Sequence, residues 1–81
     1  MADINDVSTR LAACFMAVFP ELTPDTVRRA SMVSIAAWDS LATLTLVATI
    51  EEAFGITIDF AQLADLVSFD TVADVVASSL D

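Results

Sequence analysis

The sequence has no lysine, no histidine, one glycine, one cysteine and two prolines in 81 residues. Each shortage excludes something. Without lysine, the only side-chain bases are Arg10, Arg28 and Arg29, against twelve acids, for a net charge of −9. No base follows Arg29. A phosphate backbone is held by neutralising it with Lys and Arg, so nucleic acid is not an expected partner. An anionic membrane surface is disfavoured for the same reason. The missing histidine removes Ser-His-Asp and Cys-His catalysis and the commonest metal ligand, so neither a catalytic residue nor a metal site is expected. Cys14, being alone, cannot form an internal disulfide, so no oxidising compartment is implied and a cytoplasmic location is expected. Long apolar runs are missing too. The longest is Leu11 to Phe19, and a membrane span needs about 20 residues. Asp3 and Asp6 stand where a secretory signal would carry bases, so no such signal is expected.

What is present is apolar. The apolar fraction is 57%, too rich for a disordered acidic chain. A chain of this size buries roughly 60% of its unfolded surface, enough for a modest core without staples. Residues 1–81 are expected to form one domain, acidic, soluble and monomeric.

Abundant alanine and leucine with a single glycine make helix the default. Ile4, Val7, Leu11, Cys14, Phe15 and Val18 recur at spacings of three and four, predicting a first helix over 3–19 that Pro20 stops. Pro20 to Trp38 reads as a long connection. It is expected to hold a helical turn with Thr23 as cap, Pro24 at the first position and Asp25 at the positive dipole end. Val33, Ile35 and Trp38 are expected to tuck inward. A second helix is predicted over 40–54, with Gly55 left-handed past its end. Although Thr and Val favour strands, the helical spacing of Leu44, Val47, Ile50 and Phe54, and the length, decide for helix. Asp59 is expected to cap a short third helix over 60–67. Asp70 or Thr71 is expected to cap a fourth, running to about Ser79 with Val72, Val75, Val76 and Leu80 as its stripe. Such helices bury their stripes only against each other. The expected fold is all-α, a small four-helix bundle with three longer helices, a short third one and a long loop between the first two.

On a wheel of about 100° per residue, Leu44, Leu46, Val47, Ile50 and Phe54 share one side of the second helix. Leu41, Thr45, Ala48 and Glu52 fall on the other. Ser40 opens this helix in Trp38-Asp39-Ser40-Leu41. Read alone, Asp39 or Ser40 is an N-cap worth about 1 kcal/mol. With no His or Lys to act as base, a functional Ser40 is modified rather than catalytic.

Asp39-Ser40-Leu41 is followed by Leu44, by Leu46-Val47, and by Ile50-Glu51-Glu52-Ala53-Phe54-Gly55-Ile56-Thr57-Ile58. Asp70-Thr71-Val72-Ala73-Asp74-Val75-Val76 comes later. In these segments the chain resembles the acyl carrier protein family, the phosphopantetheine-bearing carriers of fatty-acid and polyketide synthesis. The resemblance is close from Trp38 to Leu80 and holds only in kind before that. It implies that Ser40 accepts 4′-phosphopantetheine from coenzyme A, transferred by a phosphopantetheinyl transferase. The arm would then carry acyl groups as thioesters. Asp39 would order the junction, help position metal-bound coenzyme A, or simply cap. Implied partners are that transferase, an acyl-loading enzyme or ligase, and a ketosynthase or acyltransferase. Basic docking surfaces are expected on them, with association that weakens as salt rises. A phosphate is physically suited to a helix N-terminus.

The chain departs from the carriers of primary fatty-acid synthesis in two places. Ala42 and Thr45 stand where acids are common, and Trp38 where a small residue is usual. This is similar to the Trp-Asp-Ser-Leu of some stand-alone carriers of specialised pathways. The expected partner face is therefore Leu41, Thr45, Ala48 and Glu52. Two other readings stay open. One is an aminoacyl or peptidyl carrier, against which Asp39 weighs because His more often precedes that serine. The other is an acidic helical interaction module without a prosthetic group. Cys14 is expected to be a buried small hydrophobe. Glu51 and Glu52 are expected to be solvated or partner-facing, since adjacent helix residues diverge. Asp59, Asp65, Asp70 and Asp74 lack calcium-loop spacing. Arg28 and Arg29 are expected in solvent.

Overall fold

A computed structural model describes residues 4–80, except the side chains of Ile4, Asn5 and Phe60. The expected helix start at Asp3 and the expected core roles of Ile4 and Phe60 lie outside the described residues. Three α-helices make up most of the rest: α1 (Ile4–Val18), α2 (Ser40–Phe54) and α3 (Phe69–Leu80). Two 3-10 segments, Val27–Arg29 and Phe60–Asp65, lie in the connections. The described residues contain no strand, only one isolated bridge between Ser31 and Ser68. The all-α expectation holds. The expected short third helix does not form as an α-helix: Phe60–Asp65 wind as a 3-10 segment, and the expected fourth helix is α3, so the described residues hold three α-helices rather than four. A capping box starts the 3-10 segment: the Asp59 side chain accepts the Gln62 backbone N–H, and Gln62 Oε1 accepts the Asp59 N–H at 3.2 Å.

In α1, Val7, Leu11, Ala12, Cys14 and Phe15 face the core. Pro20 ends the helix as expected, after Phe19 N–H has closed one more turn onto the Phe15 carbonyl. Phe15 then sits at the centre of four buried rings. Its centroid is 6.3 Å from Phe19, 5.4 Å from Trp38 and 5.0 Å from Phe69. Offset and edge-on ring pairs of this kind each add about 0.5–1.5 kcal/mol beyond the area they bury.

The long connection is held at several points. Its helical turn begins at Val27, after a turn in which the Thr23 carbonyl accepts from Thr26 and Val27. Thr23 therefore supplies its carbonyl, and its hydroxyl pairs with that of Thr26 at 3.1 Å. Met32 N–H donates to the Val67 carbonyl and Phe69 N–H to the Ala30 carbonyl, both at 2.9 Å. These two bonds clasp the connection to the start of α3. Ile35 and Trp38 tuck inward as expected. Val33 does not; it is 98% exposed. The reason is local. Ser31 and Ser34 exchange backbone and hydroxyl hydrogen bonds at 3.1–3.2 Å, closing a tight turn with Val33 at its tip.

The helix bounds 40–54 are met in α2, and Gly55 follows at φ 66°, the left-handed cap. The cap of α3 differs from the expectation. Ser68 Oγ accepts the Thr71 N–H, and Thr71 Oγ1 accepts the Ser68 N–H. Ser68 is thus the cap, and Thr71 its partner three residues on. Val72 and Val76 are buried, whereas Leu80 is 38% exposed.

Candidate functional site

The loop-to-helix junction around Ser40 is built by Asp39. Its backbone is extended, and its carboxylate accepts the Ala42 N–H at 2.8 Å. Its carbonyl accepts the Thr43 N–H at 2.9 Å. Asp39 is therefore the N-cap, and Ser40 the first helical residue. This decides which residue caps: Ser40 does not spend its hydroxyl on the helix, and it lies exposed. The first N–H groups of a helix have no intrahelical acceptor. Asp39 takes those of Ala42 and Thr43, which leaves those of Ser40 and Leu41 for an external anion, at the positive end of the α2 dipole.

Beside Ser40 opens a cleft of about 470 Å³. Met32 from the long connection forms one wall, Leu44 of α2 another, and Leu63, Ala64 and Val67 a third. Leu44 and Val67 stand at its solvent side, 48% and 44% exposed. Leu44 was expected in the core stripe, and the structure corrects this. The stripe runs instead through Thr43, Leu46, Val47 and Ile50, leaving Leu44 turned by one residue onto the cleft.

Thr43, 7% exposed, lines the inner side of the cleft. Its Oγ1 accepts the indole N–H of Trp38 at 2.9 Å and donates to the Asp39 carbonyl at 3.0 Å. Both polar groups are thereby satisfied, so the cleft meets an apolar surface. Sequence reasoning missed Met32 and Thr43. For Thr43 a signal existed: it precedes Leu46, Val47 and Ile50 by three, four and seven residues, the spacing of a buried face.

The residues of the expected partner face, Leu41, Thr45, Ala48 and Glu52, are all exposed. Leu41 is 72% exposed and directly follows Ser40. Thr45 Oγ1 donates to the Leu41 carbonyl and Thr49 Oγ1 to the Thr45 carbonyl. With those hydroxyls turned onto the helix, no charge stands between Ser40 and Ile50. Glu51 departs from expectation. It is half-buried, and its Oε2 accepts the Ile58 N–H at 2.8 Å, which ties the turn after Gly55 back to α2. Glu52 is exposed, as expected. At the far end of α2, Arg10 lies over the Phe54 ring at 4.5 Å and donates to the Ala53 carbonyl. A cation there complements the negative end of the helix. Arg28 and Arg29 are exposed, and Arg29 donates to the Asp25 carbonyl at 3.1 Å. Cys14 is buried, and desolvation pushes its thiol up, partly offset by Arg10 and its own backbone. Among the described residues no group of His, Cys, Asp and Glu is arranged to hold a metal ion, and no helix is long and apolar enough to cross a membrane.

Residues 36–77, more than half of the chain, match the family described as the phosphopantetheine attachment site. The chain belongs to this family, as a carrier protein of the acyl carrier kind. The family attaches a 4′-phosphopantetheine prosthetic group, and its domains are generally non-catalytic carriers that work with modifying transferases and biosynthetic enzymes. A search of curated proteins finds no match for the chain. The residues of the junction fit such a group: an exposed hydroxyl, unclaimed N–H groups for a phosphate, and an apolar cleft alongside.

Proposed function

We propose that residues 1–81 act as a single-domain acyl carrier, bearing 4′-phosphopantetheine on Ser40. The pathway would be fatty-acid, polyketide or related specialised biosynthesis. When bound, the arm supplies a terminal thiol on which acyl groups ride as thioesters. The chain's own residues mount and shield. Asp39 fixes the first turn of α2, so the Ser40 hydroxyl is held outward on a helix about 22 Å long. The N–H groups of Ser40 and Leu41 face the phosphate position. The chain itself makes and breaks no bonds in this reading; with no histidine and no lysine, it lacks the bases that most often activate a serine. A cytoplasmic location belongs to the same reading and rests on the lone cysteine.

One observation carries the proposal. Asp39 performs the capping, so the exposed hydroxyl of Ser40 stands unused at the mouth of an apolar cleft. The apolar lining also favours acyl over aminoacyl cargo. The test is to incubate the protein with coenzyme A and a broad-specificity phosphopantetheinyl transferase, then take an intact mass. The expected result is one arm per chain, lost in Ser40→Ala. No mass gain, or a gain that survives Ser40→Ala, overturns it.

Leu41, Thr45, Ala48 and Glu52 form the proposed docking face for the transferase, the acyl-loading enzyme or ligase, and the ketosynthase or acyltransferase. Charged substitutions at Thr45 and Ala48 are expected to slow acyl loading by the cognate enzyme. Unchanged rates for both remove this face from the account.

A further inference from the structure

We propose that Trp38 forms the inner limit of the cleft beside Ser40 and thereby sets how long an acyl chain this protein shields. The inference rests on Ser40 being the attachment point, as proposed above, and concerns the cargo class of that same site. Trp38 is only 2% exposed and does not line the cleft. It stands directly behind Thr43, which does, and the two are joined by the 2.9 Å indole hydrogen bond.

A chain in the cleft beside Ser40 lies among Met32, Leu44, Leu63 and Val67 and against Thr43, whose hydroxyl is already paired. To go further it must displace the indole. That ring is wedged edge-on against Phe15, at 5.4 Å and 78°, and lies 5.6 Å from Phe19. Phe15 is in turn backed by Phe69 at 5.0 Å. All four rings are buried. Interiors packed in this way have few voids larger than a water molecule, so penetration requires repacking rather than filling. It also requires breaking the indole hydrogen bond, which leaves a buried donor without an acceptor. Short and medium saturated acyl chains therefore settle against the apolar walls. A longer tail runs past Leu44 and Val67 into solvent or into a partner.

Trp38 is the sole tryptophan and the chain has no tyrosine, so the indole emission belongs to one residue. This permits a test on the unmodified sequence. The protein is loaded from butyryl-, octanoyl- and hexadecanoyl-coenzyme A by the transferase. Trp38 emission and the rate of thioester cleavage by hydroxylamine are then followed. The emission maximum is expected to stay the same for all three chains. Cleavage is expected to slow from butyryl to octanoyl and to change no further for hexadecanoyl.

In Trp38→Leu the barrier is gone, and the hexadecanoyl thioester is expected to be cleaved at least fourfold more slowly than in the unsubstituted protein. Fourfold corresponds to one further buried methylene, about 0.8 kcal/mol. An emission shift with hexadecanoyl in the unsubstituted protein overturns the inference, and so does an unchanged length dependence in a folded Trp38→Leu. If that variant fails to fold, the emission measurement decides alone. Failure of Ser40 to gain mass would instead overturn the carrier proposal, which separates the two.

Discussion

Thr43→Val removes one hydroxyl and changes little else in shape, yet it is expected to cost far more than that small change of shape suggests. That hydroxyl accepts from the Trp38 indole at 2.9 Å and donates to the Asp39 carbonyl at 3.0 Å. Valine makes neither bond. The Asp39 carbonyl still accepts the Thr43 backbone N–H, so its loss is partial. The indole N–H is different: Trp38 is 2% exposed, so its donor is left without an acceptor inside the core. A buried donor left unpaired costs about 1–3 kcal/mol. Taking about 2 kcal/mol, Tm falls by roughly 8–16 °C in a domain of this size. Urea unfolding followed by far-UV circular dichroism measures the change, and an unaltered slope shows that the folded state is otherwise intact. A second background isolates the cause. In Trp38→Phe the indole donor is absent, so adding Thr43→Val strands nothing. The cost of Thr43→Val is then expected to be smaller by at least about 1 kcal/mol, a coupling of the size that residues in direct contact show. A cost below about 0.5 kcal/mol in the unsubstituted protein, within the range of ordinary surface changes, would refute the reasoning. So would an equal cost in both backgrounds.

Other substitutions address the remaining joints of the site. Asp39→Ala is expected to lose about 1 kcal/mol through the vacated Ala42 N–H. Asp39→Asn keeps an acceptor and loses only the charge at the dipole, a few tenths of a kcal/mol; urea titrations compare the two. Gly55→Ala is expected to cost about 1–2 kcal/mol, entirely from backbone at φ 66°, because nothing lies within 4 Å of an added Cβ; thermal melts read it. Glu51→Ala frees the Ile58 N–H and is expected to speed its amide hydrogen exchange while leaving phosphopantetheinylation of Ser40 unchanged. Burial raises the Cys14 thiol above its ordinary value, so the folded state holds that proton when the unfolded chain has released it. Stability is then unaffected below the ordinary thiol pKa and falls as pH rises above it. Cys14→Ala, melted across the same alkaline range, is expected to lose that part of the slope.

The bounds of α2 are legible because both ends are written locally. An acid one residue before the helix and a glycine one residue after it need no knowledge of the rest of the fold. The same holds for Pro20 after α1. The errors cluster where a residue's partner lies elsewhere or is polar. Val33 has the composition of a core residue, but the serines on either side of it close a turn that aims it into solvent. Thr43 occupies a core position with a polar side chain, so the apolar pattern alone places the stripe on Leu44. Ser68, not Asp70 or Thr71, caps α3, because the reciprocal bonds with Thr71 form one turn earlier. Glu51, legible as a surface charge, is claimed by a backbone N–H seven residues on. The cleft was not legible at all. Its walls come from Met32, Leu44, Leu63, Ala64 and Val67, and the two bonds that clasp Met32 to Val67 and Ala30 to Phe69 bring the long connection to that edge.

The charge of −9 and the chemistry of α2 act at different distances. At physiological salt a field falls off over about 8 Å, so the acids would draw in a partner with the proposed basic surface before any side chain touches. The first eleven residues of α2 carry no charge, and the hydroxyls of Thr45 and Thr49 are turned onto its own carbonyls. On the proposed reading, a partner docking at Ser40 would meet Leu41, Thr45 and Ala48, exposed residues that offer contact area and few polar bonds. Charge complementarity sets the rate of encounter more than the strength of the final complex. The two contributions are separable in this chain because they fall on different residues. Salt is expected to lower the association rate for every basic partner alike, while changes at Leu41 or Ala48 alter which partner stays.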